Sequence, residues 1–278
     1  MKNIIFILVS SLVFSALTYA KEGENSLAEL KVKGKVKSIK EKRFDVQGNS
    51  ENLQKGKQTN YSILFFNPQG NTIEKHTFLP DGNLQRKSTY KYDGNGKQYE
   101  QLFYTGNDRI TEKYIAKYDN AGKKVEQQGY NESGNLIEKS TYGYDGKGYM
   151  IEEHKYNAGG SLYFKSNYLN DGNGKNIEEK RYKSDGSLDW RYTWMYDGNG
   201  NTIETNFFNP YGSLKTKDIY RYDKNEYKIE ASRYNPDGSL NAKYTYQYEL
   251  DKNLNWTKRI EFKDGVPVSI CERELEYY

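Results

Sequence analysis

The chain has 278 residues, and its 42 Lys and Arg side chains against 38 Asp and Glu side chains leave a formal net charge of only +4 at pH 7. That balance argues against a dedicated nucleic-acid surface, which needs a strong basic excess. A mean hydropathy of −1.04 is typical of a disordered chain, but disordered chains are poor in aromatic residues, whereas this one contains 28 Tyr. The composition therefore favours an ordered, tyrosine-rich β-sheet with one aromatic and one polar face.

Residues 1–20 are predicted to be a signal peptide. Lys2 supplies the basic start, residues 4–17 are almost wholly apolar, and small residues up to Ala20 offer a cleavage site. The apolar run is too short, with the wrong flanks, to favour a permanent membrane span, and an uncleaved anchor is the alternative. We therefore expect cleavage after Ala20 and export to the periplasm or to the outside of the cell. Cys271 is the only cysteine, so we expect no internal disulfide in the exported chain.

Residues 21–60 are predicted to form an N-terminal segment with capping strands ahead of the main domain. Lysine is concentrated between Lys31 and Lys57. A run of this kind is typical of a solvated capping strand, and a surface for acidic polymers or lipid is the alternative interpretation.

Residues 61–262 are predicted to form one repeat domain, because the same residue types return at a step of 26 residues. Self-similarity at a fixed period marks a supersecondary unit that is copied and stacked. Three columns keep the step: Glu74, Glu100, Glu126, Glu152, Glu178, Glu204 and Glu230; Leu84, Ile110, Leu136, Leu162, Leu188, Leu214 and Leu240; and Phe78, Tyr104, Tyr130, Tyr156, Tyr182, Phe208 and Tyr234.

Each unit is predicted to be a β-hairpin. In one of them, residues 202–208 and 214–222 form the strands, and residues 209–212 (Asn-Pro-Tyr-Gly) form the turn. Asn first, Pro second and Gly fourth suit a type I turn followed by a left-handed Gly, which makes a three-residue hairpin loop. Asp108 and Glu226 stand where the equivalent turns of other units have Gly, so these two corners are expected to be irregular.

The loop length predicts which side chains share a face. A three-residue loop makes Tyr234 face Leu240 and Glu230 face Tyr244. The glutamate column is therefore expected on the aromatic face, where it would accept hydrogen bonds from tyrosine hydroxyls. The opposite face is expected to carry a basic column: Lys87, Lys113, Lys139, Lys165, Arg191, Lys217 and Lys243.

The predicted fold class is all-β: an antiparallel meander of tandem 26-residue β-hairpin repeats, curled into a spiral or flattened barrel-like sheet. Seven hairpins give fourteen strands, and flanking segments add three or four more, including a C-terminal capping strand in residues 263–278. A flat sheet of this size would expose a large aromatic patch to water, so twist and bulges should curl it with the tyrosines inside. An open sheet whose aromatic face meets a partner is the alternative.

The repeat also carries a familiar motif. Residues 196–204 read Tyr-Asp-Gly-Asn-Gly-Asn-Thr-Ile-Glu, which resembles the YD repeat of the Rhs family, also found in bacterial insecticidal toxin shells and in teneurins. The resemblance covers roughly residues 60–262, and it implies a β-hairpin spiral that can enclose a hollow shell, together with carbohydrate binding and contact with cell surfaces. Large Rhs proteins have many more repeats and a C-terminal toxin domain, so we expect a small exported member without that domain.

The residues do not predict a catalytic set. His76 and His154 occupy equivalent positions three repeats apart, so neither a shared metal nor a Ser-His-Asp system is expected. Glu178 and Glu204 could reach the carboxylate separations used by glycosidases, but a column repeated seven times favours a structural role. The Asp197 turn has the opening of a calcium loop, yet turn chemistry accounts for it. We predict no enzyme activity, no cofactor and no metal.

Aromatic side chains are the best candidates for ligand binding. Trp190, Tyr192 and Trp194 lie in one predicted strand on the aromatic face, and aromatic platforms beside polar groups are common at ligand sites. The alternative is that they only fill the core of the curled sheet. The predicted function is an exported, non-enzymatic repeat protein that binds a glycan, a cell-envelope component or a protein partner. The alternatives are a shell or immunity-like component of a separate Rhs-type effector, and a glycan-acting enzyme that uses the glutamate column.

Overall fold

The structure is a computed structural model that describes residues 26–48 and 51–278. The predicted signal peptide lies outside the described residues. The helix α1 (Ser26–Glu29) spans four residues. No helix in the described part of the chain has the length and apolar character needed to cross a membrane.

The rest of the described chain is built from strands. In chain order they are β1 (Val36–Gln47), β2 (Gln54–Phe66), β3 (Thr72–Phe78), β4 (Leu84–Tyr92), β5 (Gln98–Thr105), β6 (Ile110–Tyr118), β7 (Lys124–Asn131), β8 (Leu136–Tyr144), β9 (Met150–Asn157), β10 (Leu162–Asn170), β11 (Asn176–Lys183), β12 (Leu188–Tyr196), β13 (Thr202–Phe208), β14 (Leu214–Tyr222), β15 (Lys228–Tyr234), β16 (Leu240–Leu250), β17 (Trp256–Lys263) and β18 (Val266–Tyr277).

These 18 strands form one closed antiparallel barrel. Each strand pairs with the next along the chain, and β1 pairs with β18 to close the ring. The predicted unit is confirmed, because its strands are β13 and β14 with the expected bounds. Closure satisfies the backbone groups that an open sheet would leave at its two edges. The prediction of a curled, barrel-like meander is therefore confirmed, and the open sheet is excluded.

The hairpin turns adopt the predicted geometry. The N–H of Asn209 donates to Ser213 O at 3.0 Å, and the N–H of Gly212 donates to Asn209 O at 3.0 Å. The Asn209 side-chain oxygen accepts the N–H groups of Tyr211 and Ser213, which fixes the turn from inside. Gly212 has a φ of 80°, the left-handed conformation that glycine adopts without a steric penalty.

The two corners at which Asp108 and Glu226 replace glycine keep the left-handed conformation. Asp108 has a φ of 60° and Glu226 a φ of 65°. Asp108 pairs with Lys87 at 2.7 Å, and Glu226 pairs with Lys31 at 2.7 Å. The predicted irregularity is therefore backbone strain rather than a different turn. Leu254 has the same conformation, with a φ of 63°, at an equivalent corner beyond the repeated glycine columns.

Replacing Leu254 with Gly is expected to raise the free energy of unfolding by about 1 kcal/mol, because a left-handed non-glycine residue costs about 1–2 kcal/mol. The Leu254 side chain is 45% exposed, so little packing is lost. Chemical denaturation measures the gain. Gly238→Leu, at a corner with a φ of 83°, is the reciprocal control and should destabilise the protein. A Leu254→Gly variant that is less stable than the wild type would contradict the claim that Leu254 has a strained backbone.

One additional residue after each turn shifts the register. Tyr234 lies opposite Leu240, as predicted, but Arg233 lies opposite Ala242, so Asn241 has no partner across the strands. The same kind of shift follows the other turns of the repeats, for example between Met195 and Tyr196. A β-bulge of this kind changes the alternation of one strand relative to its neighbour. Glu230 and Ser232 of β15 therefore lie on the opposite face from Tyr244 and Tyr246 of β16.

The prediction that the glutamate column lies on the aromatic face is wrong for this reason. Glu230 lies opposite Thr245 instead of Tyr244. The column lies on the outside of the barrel together with the basic column, and Glu230 pairs with Lys243 at 2.9 Å. Glu126 contacts Lys117 at 2.7 Å and Lys139 at 2.8 Å, and these contacts lower the pKa of its carboxyl. The column is an external ladder of ion pairs.

In six of the seven hairpins, a tyrosine at or near the end of the second strand points inward and has a different partner from the predicted one; in the seventh, Asn170 takes this place and its amide donates to Met150 O at 2.7 Å. The tyrosine hydroxyls donate to the backbone carbonyl 20 residues earlier, at the start of the preceding strand. These donors are Tyr92 to Thr72, Tyr118 to Gln98, Tyr144 to Lys124, Tyr196 to Asn176, Tyr222 to Thr202 and Tyr248 to Lys228, at 2.6–2.8 Å. Each acceptor lies beside the bulge, where the strand ladder is interrupted. The tyrosine hydroxyl thus satisfies a carbonyl at that interruption.

The barrel interior is polar and aromatic rather than a dry core. Aromatic side chains of one interior column are mostly half-buried: Tyr90, Tyr142, Trp194, Tyr220 and Tyr246, with Tyr168 buried. Among the described residues, the buried apolar clusters lie at one end of the barrel. One joins Leu27, Val36, Ile39 and Phe66. The interior wall elsewhere is therefore partly exposed to solvent.

The segment from α1 to β1 runs along the turns at that same end. Its first contact is the Leu27 N–H, which donates to Gly70 O at 3.1 Å. The Lys31 amine reaches Asn201 and Glu226 farther round the ring. Asn255 is bonded twice to the backbone of Lys33, at 2.7 and 2.8 Å. The segment therefore bridges turns that are far apart in the strand order and covers part of this opening.

Candidate functional site

Three aromatic side chains of β12 form a patch on the barrel interior. Trp190, Tyr192 and Trp194 share one side of the strand because side chains alternate along it. The rings of Tyr192 and Trp194 lie 4.8 Å apart, and Phe207 of β13 lies 6.1 Å from Tyr192 and 6.4 Å from Trp190. All four are half-buried. We call these four residues the aromatic patch; their role in ligand binding stays a prediction.

An arginine borders the aromatic patch. The guanidinium of Arg181 lies 3.8 Å from the ring of Phe164 and 4.9 Å from the ring of Trp190, so it stacks against both. Its Nε is buried and has no hydrogen-bond partner in the described part of the chain. A buried donor without a partner is costly, and a ligand oxygen would relieve that cost.

Two carboxylates face the interior beside the patch. The hydroxyl of Tyr168 donates to Glu153 at 3.2 Å, and the hydroxyl of Ser166 donates to Glu179 at 2.9 Å. Burial raises the pKa of Glu179. The uniform glutamate column drew attention to Glu178, whereas its interior neighbour Glu179 was not predicted as a site residue. Side chains alternate along a strand, so Glu178 and Glu179 must lie on opposite faces. This alternation places Glu179 on the interior only when the bulge after the turn is taken into account.

The raised pKa of Glu179 makes a pH-dependent prediction. A carboxyl whose pKa is raised by folding costs stability where it is ionised, and that cost disappears as the pH falls below its ordinary range. Glu179→Gln keeps the acceptor for Ser166 and removes the charge. It is therefore expected to raise the melting temperature at pH 7 and to change it little at pH 4.

The matched control for that experiment is Glu178→Gln. Glu178 is the chain neighbour on the outer face and pairs with Lys180 at 2.9 Å. Its replacement removes an external ion pair and should not stabilise the protein at pH 7. The melting temperatures of both variants are measured at pH 7 and pH 4. Equal changes in melting temperature for the two variants would contradict the inward placement of Glu179.

A second polar cluster lines the interior where the barrel closes. Arg43 of β1 donates to Glu261 of β17 at 2.7 Å, and Arg273 of β18 donates to Glu41 of β1 at 2.8 Å. The Arg273 guanidinium also lies 3.6 Å from the ring of Trp256. We call these residues, together with Arg259, the closing seam. The closing seam was not predictable from the repeats, because its residues lie in the flanking strands, which were interpreted as separate caps that do not meet.

The histidines and the calcium-like turn serve local structure. His76 contacts Glu74, and His154 contacts Glu152 at 3.2 Å, both on the outer face. Asp197 accepts the backbone N–H groups of Asn199 and Asn201, as a turn residue does. Within residues 26–48 and 51–278, no group of three or more His, Cys, Asp or Glu side chains is arranged to hold a metal ion.

Comparisons with known proteins assign no family. No protein-family model matches the chain, and no curated protein matches its sequence. Among solved structures, a porin-like protein from Bacteroides uniformis is similar over 87% of this chain and 96% of its own, with 14% identity and a TM-score of 0.42. A porin-like protein from Bacteroides vulgatus matches 85% of this chain and 97% of its own, with 14% identity and a TM-score of 0.38.

A third similar structure is the Tc holotoxin pore of Photorhabdus luminescens. It matches over 79% of this chain, with 12% identity and a TM-score of 0.31. The match spans only 16% of that toxin chain.

Proposed function

We propose that this chain is an exported, non-enzymatic binding protein whose barrel interior holds a glycan on the aromatic patch. The observation that carries the proposal is the set of neighbouring half-buried rings on β12 and β13. Sugars present apolar C–H faces and hydroxyl edges. Aromatic rings can pack against the C–H faces, and neighbouring charged and hydroxyl groups can bind the hydroxyl edges. Aromatic and polar side chains are commonly found together at ligand sites.

The sequence supports the export and the class of ligand. Residues 1–20 have the pattern of a signal peptide, which directs the remaining chain to the periplasm or the cell exterior. The repeats resemble the YD repeats of the Rhs family, for which carbohydrate binding is an implied role. Periplasmic and extracellular proteins meet cell-envelope glycans directly.

The closed barrel favours a small ligand over a protein partner. A protein that docked on the aromatic face would need that face open, whereas here it lines the interior. An oligosaccharide is narrow enough to be proposed as a ligand inside the barrel. A shell or immunity-like component would have to contact its partner through the outer ion-pair ladder. A glycan-acting enzyme would need two carboxylates with different roles, whereas the external glutamate column repeats the same carboxylate.

The test is a titration of the protein beginning at Lys21 with neutral hexasaccharides of the cellulose, chitin and starch types. We expect saturable heat with one of them, weakened by Trp190→Ala and by Tyr192→Ala. The matched control is Tyr211→Ala in a hairpin turn, where the residue is 91% exposed. Near-ultraviolet circular dichroism confirms that each variant is folded.

Two results would count against the glycan proposal. One is the absence of saturable binding to every glycan in the series. The other is an equal loss of affinity in the Tyr211→Ala variant, because binding would then not depend on the interior patch.

A further inference from the structure

Two cations on the barrel interior lack the carboxylate partner that their neighbours have. Arg233 is bonded to Asp218 through two contacts, and Arg273 and Arg43 of the closing seam each have a glutamate. Lys228 of β15 and Arg259 of β17 have no carboxylate oxygen within 4.0 Å among the residues that the structure describes. Asp218 acts electrostatically on Lys228, and Glu41 and Glu261 act on Arg259, but each of these three carboxylates is bonded to another arginine. This stretch of the interior wall therefore has more cationic than anionic side chains.

The two cations lie on the interior face of β15 and β17, which are separated by one strand, β16. Tyr248 of β16 stands between them, since it is opposite Arg259 and its hydroxyl donates to the carbonyl of Lys228 at 2.8 Å. Strands two positions apart are separated by about 10 Å, which two long side chains can span from both sides. After burial, the charge of Arg259 is the next cause that lowers the pKa of Lys228.

Aromatic rings are the main contacts of both groups. The Lys228 amine lies 4.2 Å from the ring of Tyr220. The Arg259 guanidinium lies 5.2 Å from the ring of Trp256 and 5.9 Å from that of Tyr246, and it donates weakly to the Cys271 sulfur at 3.7 Å. Cation–π contacts recover only part of the hydration that a buried cation loses.

The remaining cost would be relieved by an anion between the two groups. A guanidinium presents a planar fork of donors that matches a carboxylate or a phosphate, and an ammonium adds a compact charge with three donors. An anion held by both would also be screened from bulk solvent by the surrounding rings. No protein carboxylate in the described ranges takes this place.

We propose that Lys228 and Arg259 together form a binding site for the carboxylate or phosphate group of a small ligand inside the barrel. This site lies on strands other than those of the aromatic patch and does not depend on the proposed glycan function. An acidic sugar would satisfy both sites, and a simple phosphate only this one.

The experiment titrates the protein beginning at Lys21 with inorganic phosphate, with trigalacturonate and with neutral maltotriose, by calorimetry and by fluorescence of the nearby Trp256. We expect saturable binding of at least one anion at low salt. Arg259→Gln and Lys228→Gln are each expected to weaken it about tenfold, the usual consequence of removing one charge-assisted hydrogen bond. Arg221→Gln is the matched control, because Arg221 lies on the outside of β14 with a side chain 70% exposed.

Each outcome has one meaning. Binding of trigalacturonate without phosphate identifies a carboxylate ligand, binding of phosphate without trigalacturonate identifies a phosphate ligand, and both depend on the two interior cations. The absence of saturable anion binding would overturn the site, as would an equal loss in Arg221→Gln. Binding of neutral sugars alone would overturn this site and leave the proposed glycan function standing.

Discussion

The Phe66→Ala variant is expected to lose about 3–5 kcal/mol of unfolding free energy, the usual range for truncating a fully buried phenylalanine. Phe66 is 1% exposed and packs with Leu27, Val36 and Ile39. This cluster joins the segment that covers one opening to the two strands at the start of the barrel. The interior elsewhere is polar, so few other apolar contacts replace what is lost. Urea denaturation followed by circular dichroism measures the change.

The control for this variant is Phe208→Ala. Phe208 is half-buried on the outer face, where the Arg191 guanidinium lies 3.9 Å from its ring. Its truncation is expected to cost less than about 2 kcal/mol, because only part of its surface is removed from water. Equal losses in the two variants would contradict the assignment of a small apolar core at this end of the barrel.

The Asp218→Ala variant is expected to cost about 2–3 kcal/mol by leaving the Arg233 guanidinium on the interior wall without its partner. The two side chains make bonds of 2.7 and 2.8 Å and are 30% and 9% exposed for Arg233 and Asp218. Breaking a fully buried pair costs about 3–5 kcal/mol, and the partial exposure of Arg233 reduces that figure. Denaturation of the single and double alanine variants yields the coupling energy.

The external pair of Glu230 and Lys243 is the matched comparison. Its atoms are 2.9 Å apart, but the Lys243 side chain is 45% exposed. Exposed pairs typically couple by about 0.2–1 kcal/mol, so this cycle should give a clearly smaller value than the interior one. A coupling at Asp218 no larger than the external value would contradict the interior position of that pair.

The architecture was predictable because the sequence repeats with a constant period. The 26-residue step, the turn residues and the strand bounds of one unit were all sufficient to predict β13 and β14. Barrel closure was harder to predict from the sequence, since β1 and β18 lie outside the repeats. Their pairing, such as Ile39 opposite Leu275, joins residues that are far apart in the chain.

The faces were only half predictable, for a local reason. Tyr246 and Tyr248 of β16 lie inside as expected, whereas Glu230 and Tyr234 of β15 lie outside. Turn chemistry correctly predicts the pair at the end of each hairpin. It does not show the bulge one residue farther along, and this one residue moves a whole strand of side chains to the other face.

The candidate site was predictable to the same extent. Trp190, Tyr192 and Trp194 share the interior face, as their alternation in one strand indicated. Glu179 and Arg181 escaped notice because they lie in first strands, whose faces were inverted. Arg259 was not predicted because its strand, β17, follows the last of the seven hairpins, where the three repeated columns no longer indicate a face.

The closed barrel is tested most directly by a cysteine pair across its closing strands. Lys40 lies opposite Glu274 on the outer face, where directly opposed side chains have Cβ atoms close enough for a disulfide. The experiment places cysteines at both positions in a Cys271→Ser background and measures disulfide formation by mass spectrometry after mild oxidation. The positive control is Lys258 with Glu272, a pair on the consecutive strands β17 and β18.

The closed barrel predicts that both cysteine pairs form intramolecular disulfides to a similar extent. An open spiral would separate β1 from β18 and leave only the control pair oxidised within one molecule. That second result would contradict the closure, and with it the enclosed aromatic interior on which the proposed binding depends.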